Sequence, residues 1–155
     1  MARKKALLGS ADDIEAAFYD AISRSDIVAL MALWADDEEI TCVHPGAPRL
    51  FGHAAIRAAW EKIFAAGGMH LQATRVHGTQ NPMSAMHNVI EVPTAPPTAQ
   101  PTGVAPPEQD VHIIATNVYS KTPQGWRIVC HHASYAQGPA PSEPGPSAAS
   151  AALLH

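Results

Sequence analysis

The sequence has few of the features that mark secreted, membrane or nucleic-acid-binding proteins. Its 155 residues include only two cysteines, Cys42 and Cys130, which is too few for a disulfide framework. Both lie in strand-like runs and are predicted to be buried thiols. Ten Lys and Arg against 14 Asp and Glu give a net charge of −4, so nothing attracts nucleic acid or anionic lipid. The N-terminal apolar run, Ala6 to Leu8, is too short for a signal-peptide core or a membrane span. We therefore expect a soluble, cytoplasmic protein.

Motifs for cofactors and metals are also missing. The chain has no glycine-rich nucleotide loop. Its nine histidines show neither the H-x-H nor the H-E-x-x-H spacing that supports metal binding. A metal site would require several histidines to converge, for example His44, His53, His112 and His132. Their spacing in the sequence gives no support for such a site. We predict no metal site and no cofactor.

Three amphipathic helices are predicted in the first 66 residues. Ser10 is a candidate N-cap, and apolar residues follow it at helical spacing from Ile14 to Ile22. Asp26 caps the second helix. The third helix is predicted from His53 to Ala66 and ends at a Gly-Gly pair.

Strand patterns dominate the rest of the chain. A short strand from Glu39 to Val43 precedes the third helix, and alternation then predicts strands at 69–80, 84–92, 110–120 and 126–134. Residues 93–107 contain six prolines and cannot form a central strand, so we expect an extended loop. Residues 137–155 are rich in Pro, Ala and Ser and are expected to be a disordered tail. The predicted single domain is 10–136.

The element order is α-α-β-α-β-β-β-β, with helices first and strands last. This order predicts an α+β fold, in which one cone-shaped, curved antiparallel sheet packs against three N-terminal helices. A strongly bent sheet under a layer of helices leaves a cavity at one end, where a small-molecule site is expected.

Three groups of residues carry a family resemblance. They are DIVALMALWADD at 26–37, HPG at 44–46 with LFGH at 50–53, and ATNVY at 115–119 with GWRIVCHHAS at 125–134. In these groups the chain resembles the nuclear-transport-factor-2-like (NTF2-like) superfamily, and especially its SnoaL-like and kinase-association-domain-like bacterial members. The resemblance implies a cone with a pocket, and a homodimer formed through the outer face of the sheet.

Ketosteroid isomerases of this superfamily use a general-base Asp, together with a Tyr and a protonated Asp as an oxyanion hole. Ungapped comparison places these three positions at His44, Phe18 and near Ala115. Phe18 and Ala115 cannot donate a side-chain hydrogen bond, so the resemblance does not extend to the steroid-isomerase oxyanion hole. We identify no inward-facing carboxylate on the strands.

Histidines are the first candidates for catalysis. His44 ends a strand at a Pro-Gly turn, and an imidazole can exchange a proton near neutral pH. The alternative is that His44 only holds the turn. His131 and His132 must point to opposite faces of the last strand. Alternation with Ile128 and Cys130 places His132 in the pocket and His131 on the outer face or in a dimer contact.

Four further residues are predicted to bind a ligand. Asn117 and Tyr119 are polar residues inside an apolar strand, and Trp60 and Phe18 are candidate walls of the pocket. A purely structural role is the alternative for each of them. The remaining histidines of the middle strands, His70, His77 and His87, are expected to face solvent or a dimer interface.

The leading hypothesis is a SnoaL-like pocket protein for an unidentified small apolar or carbonyl-containing molecule. It is either a binder or a cofactor-free isomerase or cyclase that uses His44 and His132 for proton transfer. The alternative hypothesis is a non-catalytic dimerisation module of the kinase-association-domain type.

Overall fold

Three helices and six strands make up the described part of the chain, residues 9–94 and 111–141 of a computed structural model. In order they are α1 Ala11–Ser23, α2 Ile27–Ala32, β1 Thr41–Val43, β2 Leu50–Phe51, α3 Gly52–Ala65, β3 Leu71–Gln80, β4 Ser84–Pro93, β5 Val111–Thr122 and β6 Gly125–Gln137.

The helices begin where the sequence predicts. Ser10 and Asp26 are the N-caps of α1 and α2, and each side chain accepts a hydrogen bond from the backbone N–H three residues later. Helix α3 begins one residue earlier than predicted, at Gly52, where φ is +78°. This left-handed backbone conformation favours glycine, and a Cβ there would also lie 2.9 Å from Glu38 Oε2.

All six strands belong to one sheet with the order β2-β1-β6-β5-β4-β3. The predicted α+β class, with a curved sheet packed against three helices, is confirmed. The sheet differs from the prediction in two details. The two-residue strand β2 precedes α3, and β1 pairs with β6 in parallel, with Cys42 opposite His131. Irregular registers after Thr74 in β3 and at Val129 in β6 add the bends that curve the sheet.

The inner face of the sheet packs against the apolar stripes of the helices. The largest fully buried apolar side chains come from both layers: Ile14, Phe18, Ile22, Leu30, Ile40, Ile56, Trp60, Val89 and Ile128. On the opposite side, which we call the outer face, lie the alternate residues Met86, Ile90, Ile114, Thr116, Val118, Cys130 and His132. No helix of the described chain covers this outer face.

Some predicted segments lie outside the described residues. Of the proline-rich loop at 93–107, only Pro93 and Thr94 are described, and Gln137 of the predicted tail still belongs to β6. Cys42 and Cys130 are both free thiols. Among the described helices, none has the length and apolar character needed to cross a membrane.

Candidate functional site

A β-bulge in β6 decides which of two adjacent histidines faces the interior. The register of β6 against β5 shifts at Val129, which has no partner on β5. Alternation restarts after this extra residue, so His131 is 2% exposed on the inner face and His132 is exposed on the outer face. The prediction that His132 lines the pocket is therefore wrong, because strict alternation assumes an unbroken strand.

Helix α1 contributes two buried polar residues that the sequence analysis missed. Glu15 and Tyr19 lie one turn apart, beside the apolar stripe. Glu15 Oε2 accepts hydrogen bonds from the hydroxyl of Tyr119 at 2.6 Å and from Nδ1 of His87 at 2.9 Å. The Tyr19 hydroxyl donates to Glu91 Oε2 at 2.7 Å. Both α1 side chains therefore reach across to the sheet.

Strand β4 supplies His87 and Glu91 on the same inner face as Val89. His87 Nε2 also lies 3.5 Å from the carboxylate of Asp12. The expectation that His87 faces solvent or a dimer interface is wrong, and Glu91 is an inward-facing carboxylate that was not identified. Alternation counted from Val89 is the signal that places both residues on the core face.

Asn117 on β5 joins the two halves of the site. Its Nδ2 donates to the Tyr19 hydroxyl oxygen at 3.1 Å and, at 3.5 Å, to Glu15 Oε2. Its Oδ1 lies 2.6 Å from Nδ1 of His131. We call the seven connected side chains the buried polar network: Glu15, Tyr19, His87, Glu91, Asn117, Tyr119 and His131. Asn117 and Tyr119 do face inward, and their role in ligand binding stays a prediction.

Burial shifts the proton equilibria of the two tyrosine hydroxyls and of the Glu91 carboxyl group in this network. It raises the pKa of Tyr19 and of Tyr119 above the usual value, and the neighbouring carboxylates raise both further. Burial also raises the pKa of Glu91, and the charge of Glu15 adds to that rise, although the hydrogen bond from Tyr19 opposes it. Glu91 therefore holds its proton more tightly than an exposed glutamate does.

Burial acts on the two inner histidines in the opposite direction. It lowers the pKa of His131 to about 3, with further lowering from His44 and His132. It also lowers the pKa of His44, which is half-buried. Both imidazoles are therefore neutral at neutral pH, which leaves each with one nitrogen able to accept a proton.

An aromatic group lies beside the network and contains three of the predicted site residues. The ring of His44 is 4.7 Å from that of Trp60 and 6.4 Å from that of His131. Phe18 packs 5.1 Å from His131 and 6.0 Å from Trp60. The Nε2 of His44 is also 3.8 Å from the thiol of Cys42, a buried thiol whose pKa burial raises to about 12. The structure thus places His44, Trp60 and Phe18 together around His131.

A cleft of about 490 Å³ opens between α1 and β3, and we call it the α1–β3 cleft. Glu15 and Tyr19 form part of its lining, so the buried polar network reaches the protein surface here. Its apolar lining comes from Ala16, Leu71, Ala73 and Val76. A concave site with an apolar wall and a few convergent polar groups is the usual form of a small-molecule site.

Candidate metal ligands are not grouped in the part of the chain that the structure describes. Between residues 9 and 94 and between 111 and 141, no three His, Cys, Asp or Glu side chains are grouped to hold a metal ion. Of the four histidines considered from the sequence, His132 lies on the outer face of the sheet, whereas His44 lies on the inner side. The four side chains therefore do not converge on one metal site.

Comparison with a family model that matches most of the chain identifies its family. Residues 12–138 match the SnoaL-like domain model. The chain belongs to the SnoaL-like family. This confirms the resemblance inferred from the motifs at 26–37, 44–53 and 115–134. Comparison with curated proteins finds no match.

Solved structures agree with membership of the SnoaL-like family. A Thiobacillus denitrificans protein, provisionally described as a calcium/calmodulin-dependent protein kinase type II association domain, is 37% identical. The match covers 84% of this chain and 98% of that one, with a TM-score of 0.71. A Streptomyces avermitilis protein, provisionally described as a dehydratase of the NTF2-like family, is 28% identical over 83% and 92% of the chains, with a TM-score of 0.62. A Burkholderia xenovorans protein with a cystatin-like fold, 19% identical over 83% and 90% of the chains with a TM-score of 0.64, shows the shared fold alone.

Proposed function

We propose that the chain binds a small carbonyl-containing molecule in the α1–β3 cleft and transfers a proton on it without a cofactor. The observation that carries this proposal is the opening of the buried polar network into the cleft through Glu15 and Tyr19. Burying ionisable groups is costly, and such groups with shifted pKa values cluster at functional sites.

Acid and base roles follow from the different surroundings of the two carboxyl groups. Glu15 accepts hydrogen bonds from three donors, which favour the charged carboxylate form that a proton acceptor requires. Glu91 has a raised pKa and lies one hydrogen bond behind Tyr19. Two carboxyl groups in different surroundings can take the separate roles of base and acid. We assign Glu15 as the proton acceptor and Glu91, acting through Tyr19, as the proton donor.

The histidines predicted from the sequence have a supporting role in this proposal. His131 takes the position first assigned to His132, with Nε2 4.0 Å from Glu91 Oε2. His44 is a second neutral imidazole beside it, and Trp60 and Phe18 form the apolar wall around both. The chain is 28% identical to a protein provisionally described as a dehydratase. Dehydration removes a proton from a carbon atom of the substrate, so this similarity supports proton-transfer chemistry.

A deuterium-exchange assay tests the proposal before any physiological substrate is known. Cyclohexanone, cyclohexenone and 2-octanone are incubated with the protein in D₂O, and exchange beside the carbonyl is followed by proton NMR. We expect exchange above the buffer rate for at least one ketone. Glu15→Gln and Glu91→Gln should each reduce it by about 100-fold or more, the usual contribution of a general acid or base.

Two histidine variants complete the assay. His132→Gln is the control, because His132 faces away from the network, and it should leave exchange unchanged. Exchange retained in both Glu variants would overturn the carboxylate assignment, and its loss in His44→Gln alone would return the catalytic role to His44. Absence of exchange and of binding for all three ketones would count against the pocket hypothesis.

A second candidate function is an association module that forms a homodimer through the outer face. We propose it because the protein most similar in identity among those compared above is provisionally described as an association domain. The outer face itself also offers apolar residues that no other part of the described chain covers. Ile90 and Ile114 are directly paired at its centre, and Met86 and Val118 are paired further along.

Sedimentation analysis separates the two functions. We expect the 16.4 kDa chain to sediment as a dimer, and Ile114→Lys to give monomers because it places a charge in the centre of the interface. Glu61→Lys, on the exposed side of α3, is the matched control and should remain dimeric. A monomeric wild-type protein would contradict the association hypothesis, whereas a stable dimer without ketone exchange or binding would favour it alone.

A further inference from the structure

We infer that Asn117 is a positioning residue that fixes the proton of His131 on Nδ1 and leaves Nε2 bare toward Glu91. This inference rests on the proposed function only for its consequence in catalysis. The location of the proton itself follows from the geometry of the network and can be measured without a substrate.

The orientation of the Asn117 amide is determined by its two neighbours on α1. The single hydroxyl proton of Tyr19 is donated to Glu91 Oε2 at 2.7 Å, so the hydroxyl oxygen can only accept from Asn117. Glu15 Oε2 is likewise an acceptor. A flipped amide would bring Oδ1 against two acceptors in a buried site, which is unfavourable. The Nδ2 group must therefore face α1.

The same amide then specifies the tautomer of His131. Asn117 Oδ1 is left facing Nδ1 of His131 at 2.6 Å, and an amide oxygen can only accept a hydrogen bond. Nδ1 therefore carries a proton. His131 is fully buried and neutral, so it has a single ring proton and its Nε2 is bare.

The bare Nε2 faces the proton-donating half of the network. It lies 4.0 Å from Glu91 Oε2, while the ring centre of His44 is 6.4 Å from that of His131 and His132 is the next residue along β6. An Nε2 without a proton cannot donate to Glu91, whereas the opposite tautomer would turn an N–H toward this carboxyl group and favour its charged form. Asn117 consequently helps Glu91 to keep its proton, although Asn117 does not line the α1–β3 cleft.

Nitrogen NMR of the imidazole ring tests the tautomer directly. In the wild-type protein we expect Nδ1 of His131 to be protonated and Nε2 to be unprotonated at pH 7. Asn117→Leu removes the acceptor, and we expect the proton to move to Nε2, where it can be donated to Glu91. Asn88→Leu, a half-buried asparagine on the outer face of β4 that bonds to Thr116, is the matched control and should leave His131 unchanged.

Asn117→Asp provides a second test with almost no change in shape, in case the leucine variant fails to fold. It keeps an acceptor for Nδ1–H but adds a negative charge beside the ring, so the pKa of His131 should rise by about one unit or more. Protonated Nε2 in the wild-type protein would overturn the inference. So would an unchanged tautomer in Asn117→Leu, or an unchanged His131 pKa in Asn117→Asp.

The kinetic consequence is measured separately with the ketone-exchange assay. We expect Asn117→Leu to reduce kcat at least tenfold with little change in KM, because Asn117 is not part of the lining of the α1–β3 cleft. Unchanged kcat would show that the tautomer has no role in turnover and would overturn the positioning role. If the wild-type protein shows the expected tautomer but no exchange, the proposed function fails and the tautomer assignment stands.

Discussion

The two faces of the sheet place the same residue types in opposite environments, and the adjacent His131 and His132 show this most directly. On the inner face His131 is buried, neutral and hydrogen-bonded to Asn117. On the outer face His132 is exposed, directly opposite Thr116 on β5. Their chemical identity is the same, so the difference arises wholly from the direction in which the strand presents them. One extra residue in β6 sets that direction.

Deletion of Val129 together with Cys130 is the most severe way to break this comparison. With Ile128 joined directly to His131, β6 can keep Trp126 and Ile128 inside or His131 and Ala133 inside, but not both pairs, because adjacent residues of a strand point to opposite faces. We expect a loss of more than about 4 kcal/mol in the free energy of unfolding, or no cooperative unfolding at all. Urea unfolding followed by tryptophan fluorescence measures it.

The control for this deletion is Val129→Ala, which keeps the bulge and removes only part of a half-buried side chain. It should cost no more than about 2 kcal/mol. A double deletion that costs no more than this substitution would show that the number of residues between Ile128 and His131 does not determine which residues of β6 are buried.

The bulge also separates what sequence predicts from what it does not. Helix caps at Ser10 and Asp26 are local patterns, and the strands follow a simple alternation, so the fold class and element order are predictable. A bulge depends on how two strands pair over their whole length, and no residue near Val129 indicates its position in the sequence. The parallel pairing of β1 with β6 is likewise a long-range choice, invisible in either strand alone.

The site is less predictable than the fold for a related reason. Glu15 and Tyr19 lie at the edge of the apolar stripe of α1, where polar residues are ordinary on any half-exposed helix. Only the sheet opposite, with Asn117 and Glu91 at matching depth, makes them part of a network. Glu91 and His87 were predictable in principle, because both alternate with the buried Val89.

Substitutions at neighbouring positions of β5 sharpen the comparison between the faces. Tyr119 is fully buried and donates to Glu15, whereas Ser120 is the next residue and points to the outer face. We expect Tyr119→Ala to lower the free energy of unfolding by about 3–5 kcal/mol, and Ser120→Ala to change it by no more than about 0.5 kcal/mol. Urea titrations at pH 7 measure both.

The hydroxyl of Tyr119 can be examined separately from its ring. Tyr119→Phe keeps the packing and removes the donor to Glu15, which should cost about 1–3 kcal/mol because a buried acceptor loses a partner. Equal stabilities for Tyr119→Phe and the wild-type protein would indicate that the hydrogen bond at 2.6 Å contributes nothing to folding. Similar costs for Tyr119→Ala and Ser120→Ala would contradict the assignment of faces on β5.

The smallest expected effect depends on pH and concerns Glu91. Its pKa is raised in the folded protein, so folding favours the protonated form, and the associated stability is fully present below the unfolded pKa of about 4.3. This stability is lost as the pH rises through the higher folded pKa, by about 1.4 kcal/mol for each unit of the shift. Glutamine cannot ionise and escapes this loss. Glu91→Gln should therefore gain stability relative to the wild-type protein between pH 4 and pH 7, as measured by urea unfolding at both values.

Glu61→Gln on the exposed side of α3 is the control for this pH dependence. Its ion pair with Arg57 is at the surface, so the substitution should change stability by no more than about 0.5 kcal/mol at either pH. A difference between Glu91→Gln and the wild-type protein that stays constant from pH 4 to pH 7 would show that burial does not alter the ionisation of Glu91. Glu91 would then lose its basis as the acid of the inner face, and the two carboxyl groups of the network would no longer be distinguishable by environment.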